Sequence, residues 1–415
     1  MDQDEIMLLG LGLQAPWKLL GQQLDLDRSP HELQLEVGTD RGTRFECPQC
    51  DKVCAAHDYQ TRRWRHLNFF QHHCYITASV PRVNCPDHGV RLVKVPWARS
   101  GSGFTLLFEQ VVMSLVREMP VKAAARITET TDKRLWRVID YYVTRALASL
   151  GLTHLKALGL DETAAKRGQR YVTVFVDMQR RDLPVVFATP GKGKETLKAF
   201  EEFLKCHQGD PARIREVVCD MSSAFLSGVA ETFPKAQVTV DWFHIVQTFT
   251  GAVDAVRKAE RQEIELSKHT RWAVLKRADA GKLTVDQKQA LAELINRDTK
   301  TATAWLIKEK LAWIRQAVTP QAARWHLTHF VKFARSWVAT EPLLVPMAQA
   351  LNTLAAHAEQ VIRRWTSTYT NARLEGFNSL FQAARARARG YRNEQTFITM
   401  IYLIASPVSQ ILKST

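Results

Sequence analysis

The chain has 415 residues, enough for roughly two to four domains with a buried core. Lys and Arg outnumber Asp and Glu by 57 to 42, and a net charge of +15 favours a polyanionic partner, because each neutralised phosphate releases counterions. No apolar run approaches the ~18 residues that span a bilayer, and the acidic start Met1-Asp2-Gln3-Asp4-Glu5 is unlike the basic end of a signal peptide.

Residues 8 to 45 have the look of short strands and turns, with apolar alternation in Leu33-Gln34-Leu35-Glu36-Val37. Two knuckles follow, Cys47-Pro-Gln-Cys50 and Cys85-Pro-Asp-His88. Each offers two soft ligands from a tight turn, so Cys47, Cys50, Cys85 and His88 together make the set that one tetrahedral Zn²⁺ needs. The implied ribbon covers about 45 to 95. Cys54, His57, His72, His73 and Cys74 are further ligand candidates but form no compact pair, and Cys54 and Cys74 read as small buried hydrophobes. Seven cysteines, an odd number, fit a reducing cytosol better than a disulfide framework. Between the knuckles, Arg62, Arg63 and Arg65 surround Trp64, a pattern for a strand that touches phosphates, with a solvated charge run as its rival.

From 104 to 148 the apolar period becomes helical. One segment ends near Met119-Pro120, a short helix covers Val121 to Ile127, and a third is opened by Thr131 as N-cap. In the third, Leu135, Val138, Ile139, Tyr142 and Ala146 share one face, and Arg134, Arg137 and Tyr141 another. Three helices with a tight turn before a basic third one describe a helix-turn-helix.

Residues 155 to 241 carry an α/β pattern. Strands are expected over Leu155–Leu160, Tyr171–Val176, Pro184–Ala188, Ile214–Cys219 and Gln237–Val240, with helices over Lys194–Cys206 and Ser222–Phe233. Three strands, then helix, strand, helix and strand is the order of an RNase H-like core. From Trp242 to about Trp365 the pattern is wholly helical, with a capping box in Thr284-Val285-Asp286-Gln287. Seven of the eleven tryptophans fall there, its two ends counted, and most are expected to anchor the core of a helical bundle rather than form a base-stacking surface. A helix ending near Gly390 and a final helix complete the chain through Thr415.

Three carboxylates stand out by placement. Asp161 closes the first strand and Asp220 the fourth, and neighbouring strands would bring them together. Two charges at the ends of apolar strands are costly unless a cation neutralises them, and oxygen ligands suit Mg²⁺ or Mn²⁺. A helix N-cap is the simpler reading of Asp220. Glu375, early in the helix after the long helical span, is the third. Asp241 is its rival, because it needs no return from that span. Asp241 and His244, in an Asp-x-x-His, either assist the site or form a structural pair. Arg385, Arg387, Arg389 and Arg392 form a basic tract that suits DNA or a helix C-terminus.

These residues, taken in order, resemble a known family. The two knuckles, Trp97, Gly159-Leu160-Asp161-Glu162, Cys219-Asp220-Met221 after Val217-Val218, Asp241-Trp242-Phe243-His244, the run from Asn371 to Asn378 and Gly390-Tyr391-Arg392 look like the DDE transposases of the bacterial insertion-sequence ISL3 family. The resemblance covers nearly the whole chain. It implies that Asp161, Asp220 and Glu375 are the catalytic triad holding Mg²⁺ or Mn²⁺, and that the ribbon and helix-turn-helix bind the element's ends. It implies a domain order of ribbon (1–100), helix-turn-helix (101–152), first core part (153–241), helical insertion (242–366) and last core part (367–415). The reaction expected is cleavage of the terminal inverted repeats and joining of the 3′ ends to target DNA, in the cytoplasm at the nucleoid, by a homodimer or larger assembly on double-stranded DNA. The rivals are a non-catalytic DNA-binding regulator and a structure-selective nuclease.

Overall fold

The computed structural model describes residues 11–13, 15–166, 170–276, 283–369 and 371–406. The acidic start, Met1 to Glu5, and the end of the expected final helix, 407 to 415, lie outside the described residues. The chain divides into two compact units after Tyr142.

The first unit is built on one sheet followed by two helices and the greater part of a third, which continues past Tyr142. Its strands are β1 (Lys18–Asp25), β2 (Glu32–Gly38), β3 (Arg44–Glu46), β4 (Val53–Arg65), β5 (His73–Cys85) and β6 (Gly89–Leu92), in the order β1-β2-β5-β4-β3, with β6 also on β5. β4 and β5 form a long antiparallel hairpin, and β2 runs parallel to β5. Alternation puts Leu33, Leu35, Val37, Ile76, Ala78 and Val80 into one core. There Trp97 meets both Trp17 and Trp64 edge-on, with ring centroids at 4.9 and 5.6 Å.

Helices α1 (Leu106–Glu118), α2 (Val121–Ile127) and α3 (Asp132–Ala148) follow. The Thr105 hydroxyl caps α1 by accepting from the Phe108 N–H. Leu135, Val138, Ile139, Tyr142 and Ala146 are all buried, as the helical period requires. Arg134 and Arg137 are exposed.

The second unit holds a five-stranded sheet of β7 (Ala157–Lys166), β8 (Arg170–Asp177), β9 (Val185–Pro190), β10 (Glu216–Cys219) and β11 (Gln237–Val240). Their order is β11-β10-β7-β8-β9. β7, β8 and β9 pair antiparallel, while β10 runs parallel to both β7 and β11. On one face lie α4 (Lys194–Cys206) and α5 (Ser223–Thr232), which bury Phe200, Leu204 and Phe225 against Leu158, Leu160, Phe175 and Val217. Burial of each such side chain stabilises by about 1.5–3 kcal/mol. Gly159 and Asp161 point to the opposite face, where α13 (Ala372–Arg387) lies, followed by α14 (Glu394–Ala405). The Tyr402 hydroxyl on α14 accepts from the Ala188 N–H of β9.

Between β11 and α13 come α6 (Trp242–Glu260), α7 (Thr270–Leu275), α8 (Val285–Asn296), α9 (Lys300–Arg315), α10 (Pro320–Val338), α11 (Val345–Ala356) and α12 (Ala358–Ile362). They share one apolar core, and α12 packs on β11 at the sheet edge. The capping box at Thr284 and Gln287 forms as the sequence indicates. Among the described residues no helix is long and apolar enough to cross a membrane.

Three expectations are corrected. β7 does not end at Asp161 but continues to Lys166, because β8 goes on pairing with it while β10 pairs only as far as Gly159. The tryptophans of the helical segment are not mostly core anchors. Trp242 and Trp305 are buried, but Trp272, Trp313, Trp325 and Trp337 are exposed. Arg65 is 5% exposed and donates to the Asn68 side chain, so it cannot join Arg62 and Arg63 on the outside of β4.

Candidate active site and zinc centre

The first site follows from two turns at one end of the β4–β5 hairpin. The Asp51 N–H bonds back to the Cys47 carbonyl, closing the first knuckle, and Asp51 adopts φ 58° to complete the turn. The second knuckle is the β5–β6 turn, where Gly89 has φ 66°, a conformation glycine adopts without strain. Because β3 pairs with β4 and β4 with β5, the two turns meet. Cys47, Cys50, Cys85 and His88 bring their ligand atoms within 4.8 Å of one another. Cys50 Sγ is 3.6 Å from Cys85 Sγ, and His88 Nδ1 is 3.6 Å from Cys85 Sγ and 3.8 Å from Cys47 Sγ. A tetrahedron with bonds of about 2.0–2.3 Å has edges of about 3.3–3.8 Å, so the set fits one Zn²⁺. Cys54 faces the Lys52 carbonyl instead, and Cys74 is buried with its thiol pushed up to about 12 by burial.

The second site lies where β10 and β11 end. Val218 pairs with Gly159 and Cys219 with Val240. Continued by register, Asp161, Asp220 and Asp241 stand in one row across three neighbouring strands. Asp220 Oδ1 accepts from the Ser222 N–H at 2.9 Å, while the N-cap position of α5 belongs to Ser222 itself. Asp241 is a true N-cap, accepting from the Phe243 N–H at the start of α6.

Helix α13 brings the fourth carboxylate. It can approach β7 closely because residue 159 has no side chain, since a Cβ there would stand 2.6 Å from Met178 Sδ and 3.0 Å from a Leu374 methyl. Glu375 follows Leu374 and is itself exposed. Desolvation, then the charge of Asp241, holds its pKa above the ordinary carboxylate value, and His244 offsets part of this. Burial pushes Asp161 up to about 6; the Glu162 N–H and His244 oppose the rise, while Asp220 and Asp241 add to it. Glu162 points to the other face, near Lys192, and burial followed by Asp220 raises it to about 7. Burial is thus the main cause of these rises, and the neighbouring carboxylates add to it. Among the described residues, the acidic side chains do not form a ligand group as tight as the knuckle set.

The structure adds contacts that sequence reading passed over, and gives Arg385 of the basic tract a partner. Asn378 donates to Asp161 and to the Glu162 carbonyl, Gln382 to Thr163 Oγ1 and the Ala164 carbonyl, and Arg385 to that same carbonyl. Asn371, buried, donates to Asp241 Oδ2 at 3.0 Å. Arg373 donates to the carbonyls of Met178, Arg180 and Arg181 after β8. The available signal is the spacing: residues 371, 375, 378, 382 and 385 fall on one helical face, a polar stripe where packing alone would call for an apolar one. Arg385 is thereby a strand contact, while Arg387, Arg389 and Arg392 remain exposed beyond it.

In unit one, Arg63 pairs with Glu32 and lies over the Tyr75 ring, and Arg134 lies over the Phe104 ring.

Three family models match the chain, one after another. Residues 158–401 match a family model described as a transposase, of the ISL3 DDE type. Residues 93–143 match the helix-turn-helix domain of transposase family ISL3, and 43–88 the zinc finger of the transposases of IS204, IS1001, IS1096 and IS1165. The transposase for insertion sequence element IS1001 of Bordetella parapertussis is 26% identical over 372 residues, 86% of this chain and 87% of that protein. The transposase for IS1557 of Mycobacterium tuberculosis is 26% identical over 392 residues, 86% of this chain and 85% of that protein. With its ribbon, its helix-turn-helix and most of its second unit matched in order, the chain belongs to the ISL3 family of insertion-sequence transposases.

Proposed function

We propose that the chain binds the terminal inverted repeats of its element, cleaves the element ends and joins their 3′ ends to target DNA, with Asp161, Asp220 and Glu375 as the catalytic carboxylates. The observation that carries this reading is the convergence of separated acidic residues: an aspartate row across β7, β10 and β11, met by Glu375 from a helix more than a hundred residues later. The sheet order, third-second-first-fourth-fifth strand with the first three antiparallel, supports an RNase H-like core. In that reading the core is split between 153–241 and 367–415 by a helical insertion over 242–366. The ribbon (1–100) and the helix-turn-helix (101–152) precede it.

The donor set is all oxygen, partly buried, and its carboxylates raise one another's pKa, which fits a hard divalent cation such as Mg²⁺ or Mn²⁺. Bound there, such ions supply activation of the attacking oxygen and stabilisation of the leaving one. The chain's own residues orient the carboxylates. Asn378 fixes one oxygen of Asp161, and the Glu162 N–H fixes the other. Water attacks the phosphodiester at the element end and the 3′-oxygen leaves; the freed 3′-hydroxyl then attacks a target phosphodiester, whose own bridging 3′-oxygen leaves as a 3′-hydroxyl. No side chain forms a bond to DNA. Asp241 is accounted for as a helix N-cap and acts beside His244 as an accessory group, whereas Glu375 is exposed and serves no cap.

Arg134 and Arg137 are the proposed base and phosphate contacts of the recognition helix, with Arg62, Arg63, Arg387 and Arg389 as further DNA contacts. Two element ends must be paired, so the working form is a homodimer or larger on DNA, at the bacterial nucleoid. A gel assay on end-containing DNA tests the reading: metal-dependent end cleavage and strand transfer support it. Cleavage without joining would mark a nuclease, and binding alone a regulator.

A further inference from the structure

Helix α10 carries a row of rings that its own packing does not use. Ala323, Leu327, Phe330, Val331, Ala334 and Val338 already fill the face turned to the core. On the outer side Trp325, His329, Phe333 and Trp337 recur at every fourth residue and so form one stripe about 18 Å long. Trp325 is 53% exposed, Phe333 38% and Trp337 36%. The rings lie against each other in two tilted pairs: Trp325 and His329 have centroids 4.1 Å apart at 34°, and Phe333 and Trp337 4.5 Å apart at 54°. Trp313, from α9, widens the stripe by meeting Trp325 edge-on at 5.6 Å.

Cations interleave with these rings. Lys310 Nζ lies 5.3 Å over Phe333, and exposed Lys332 adjoins it in sequence. From Pro320 to Val338 there is no Asp or Glu, while Arg324, Lys332 and Arg335 are present. Arg324 is taken by Glu359 and Arg335 by Asn352, which leaves Lys310 as the charge placed over the rings and Lys332 on the flank of the helix. Exposed indoles in a row mark a contact surface. A second copy docking the same face would set like charges together, whereas a nucleic-acid strand offers what the surface lacks, flat apolar faces joined by anions.

We propose that the outer face of α10 is a stacking track for unpaired bases of single-stranded DNA, used when strands separate during processing of the element. Every base has a π face, so the track takes a strand without reading its sequence. The proposal rests on DNA as the substrate class but not on the carboxylate assignment, since stacking needs no cleavage.

The test uses the full chain and fluorescence anisotropy with short labelled oligo(dT), beside a duplex carrying an element end. Trp325→Leu with Trp337→Leu should weaken oligo(dT) binding by at least about tenfold and leave duplex affinity where it was. Trp325→Phe with Trp337→Phe, which keeps two rings, should retain most of the single-strand affinity. Unchanged oligo(dT) binding in the Leu pair overturns the proposal. So does an equal loss on duplex, or a shift of the Leu pair to a smaller species in sedimentation velocity with oligo(dT) binding intact, which would make the stripe an interface between copies. Loss of catalysis in carboxylate variants would leave all of these readings unmoved.

Discussion

Asn378 holds Asp161: its side-chain amide donates to Asp161 Oδ2 at 2.6 Å and to the Glu162 carbonyl at 2.9 Å. One amide thus fixes both the rotamer of a carboxylate on β7 and the height of α13 above that strand. Outer-shell partners of this kind typically change metal affinity or activity by about 10–100-fold. Asn378→Ala should therefore cleave element ends about 10–100-fold more slowly and need more Mn²⁺ for half-maximal thermal stabilisation, while still binding the ends. A variant with unaltered Mn²⁺ titration would show that the amide only packs the helix.

Asp161→Ala, Asp220→Ala and Glu375→Ala should each abolish both cleavage and strand transfer and leave end binding intact. Asn and Gln in the same places should do nearly as much damage, because a neutral amide cannot balance a divalent ion. Asp241→Ala should keep partial activity, its main loss being the cap of α6, worth about 1 kcal/mol. An inactive Asp241→Ala beside an active Glu375→Ala would replace the third member of the triad.

Elemental analysis should find about one zinc per chain. Cys85→Ser should lose it, and because metal binding and folding are coupled, the ribbon should become protease-sensitive. Cys54→Ser and Cys74→Ser should keep the zinc, because the Cys54 thiol, though beside Cys85, lies outside the tight set of four and bonds to the Lys52 carbonyl, and Cys74 is buried. Retention in Cys85→Ser would overturn this ligand set.

Acid should weaken the first unit through His66. Its Nδ1 is 2.9 Å from Thr105 Oγ1 and the residue is 7% exposed. Burial first, then the Arg65 charge, depresses its pKa to about 4. The folded value lies below that of a free imidazole, about 6.5, so the neutral ring's contribution is complete above that pH and is lost as pH falls towards 4. The full effect is on the order of 3 kcal/mol. Urea unfolding of His66→Gln should shift less between about pH 7 and pH 5 than that of the parent. An identical shift would assign the acid sensitivity elsewhere.

Most elements of the fold are legible from period alone. Val121–Ile127, Lys194–Cys206 and Gln237–Val240 match their expected bounds because their apolar spacing is regular and their flanks carry turn residues. β7 is not legible to its end, since Thr163 to Lys166 has no apolar run and is held as strand by β8 beside it and α13 above it. The knuckles declare themselves by spacing. The contact of Asn378 with Asp161 spans 217 positions and leaves no local trace. Arg65 shares the strand face of exposed Arg63, over the same Tyr75 ring, and is buried by what packs beyond it rather than by alternation, and a tryptophan's sequence neighbours do not reveal which side of a helix bundle it faces.

The hydrogen bond between Asn371 and Asp241 fastens the two ends of a 130-residue excursion. A segment whose exit and return are clipped together transmits little of its own length or internal shape to the sheet it leaves. Closing a longer excursion costs only about 0.6 kcal/mol per doubling, so the helices between these residues could be shortened, extended or exchanged provided something still shields the β11 edge. That clip makes the sheet edge a socket, which holds the base of the helical segment whatever the length beyond it.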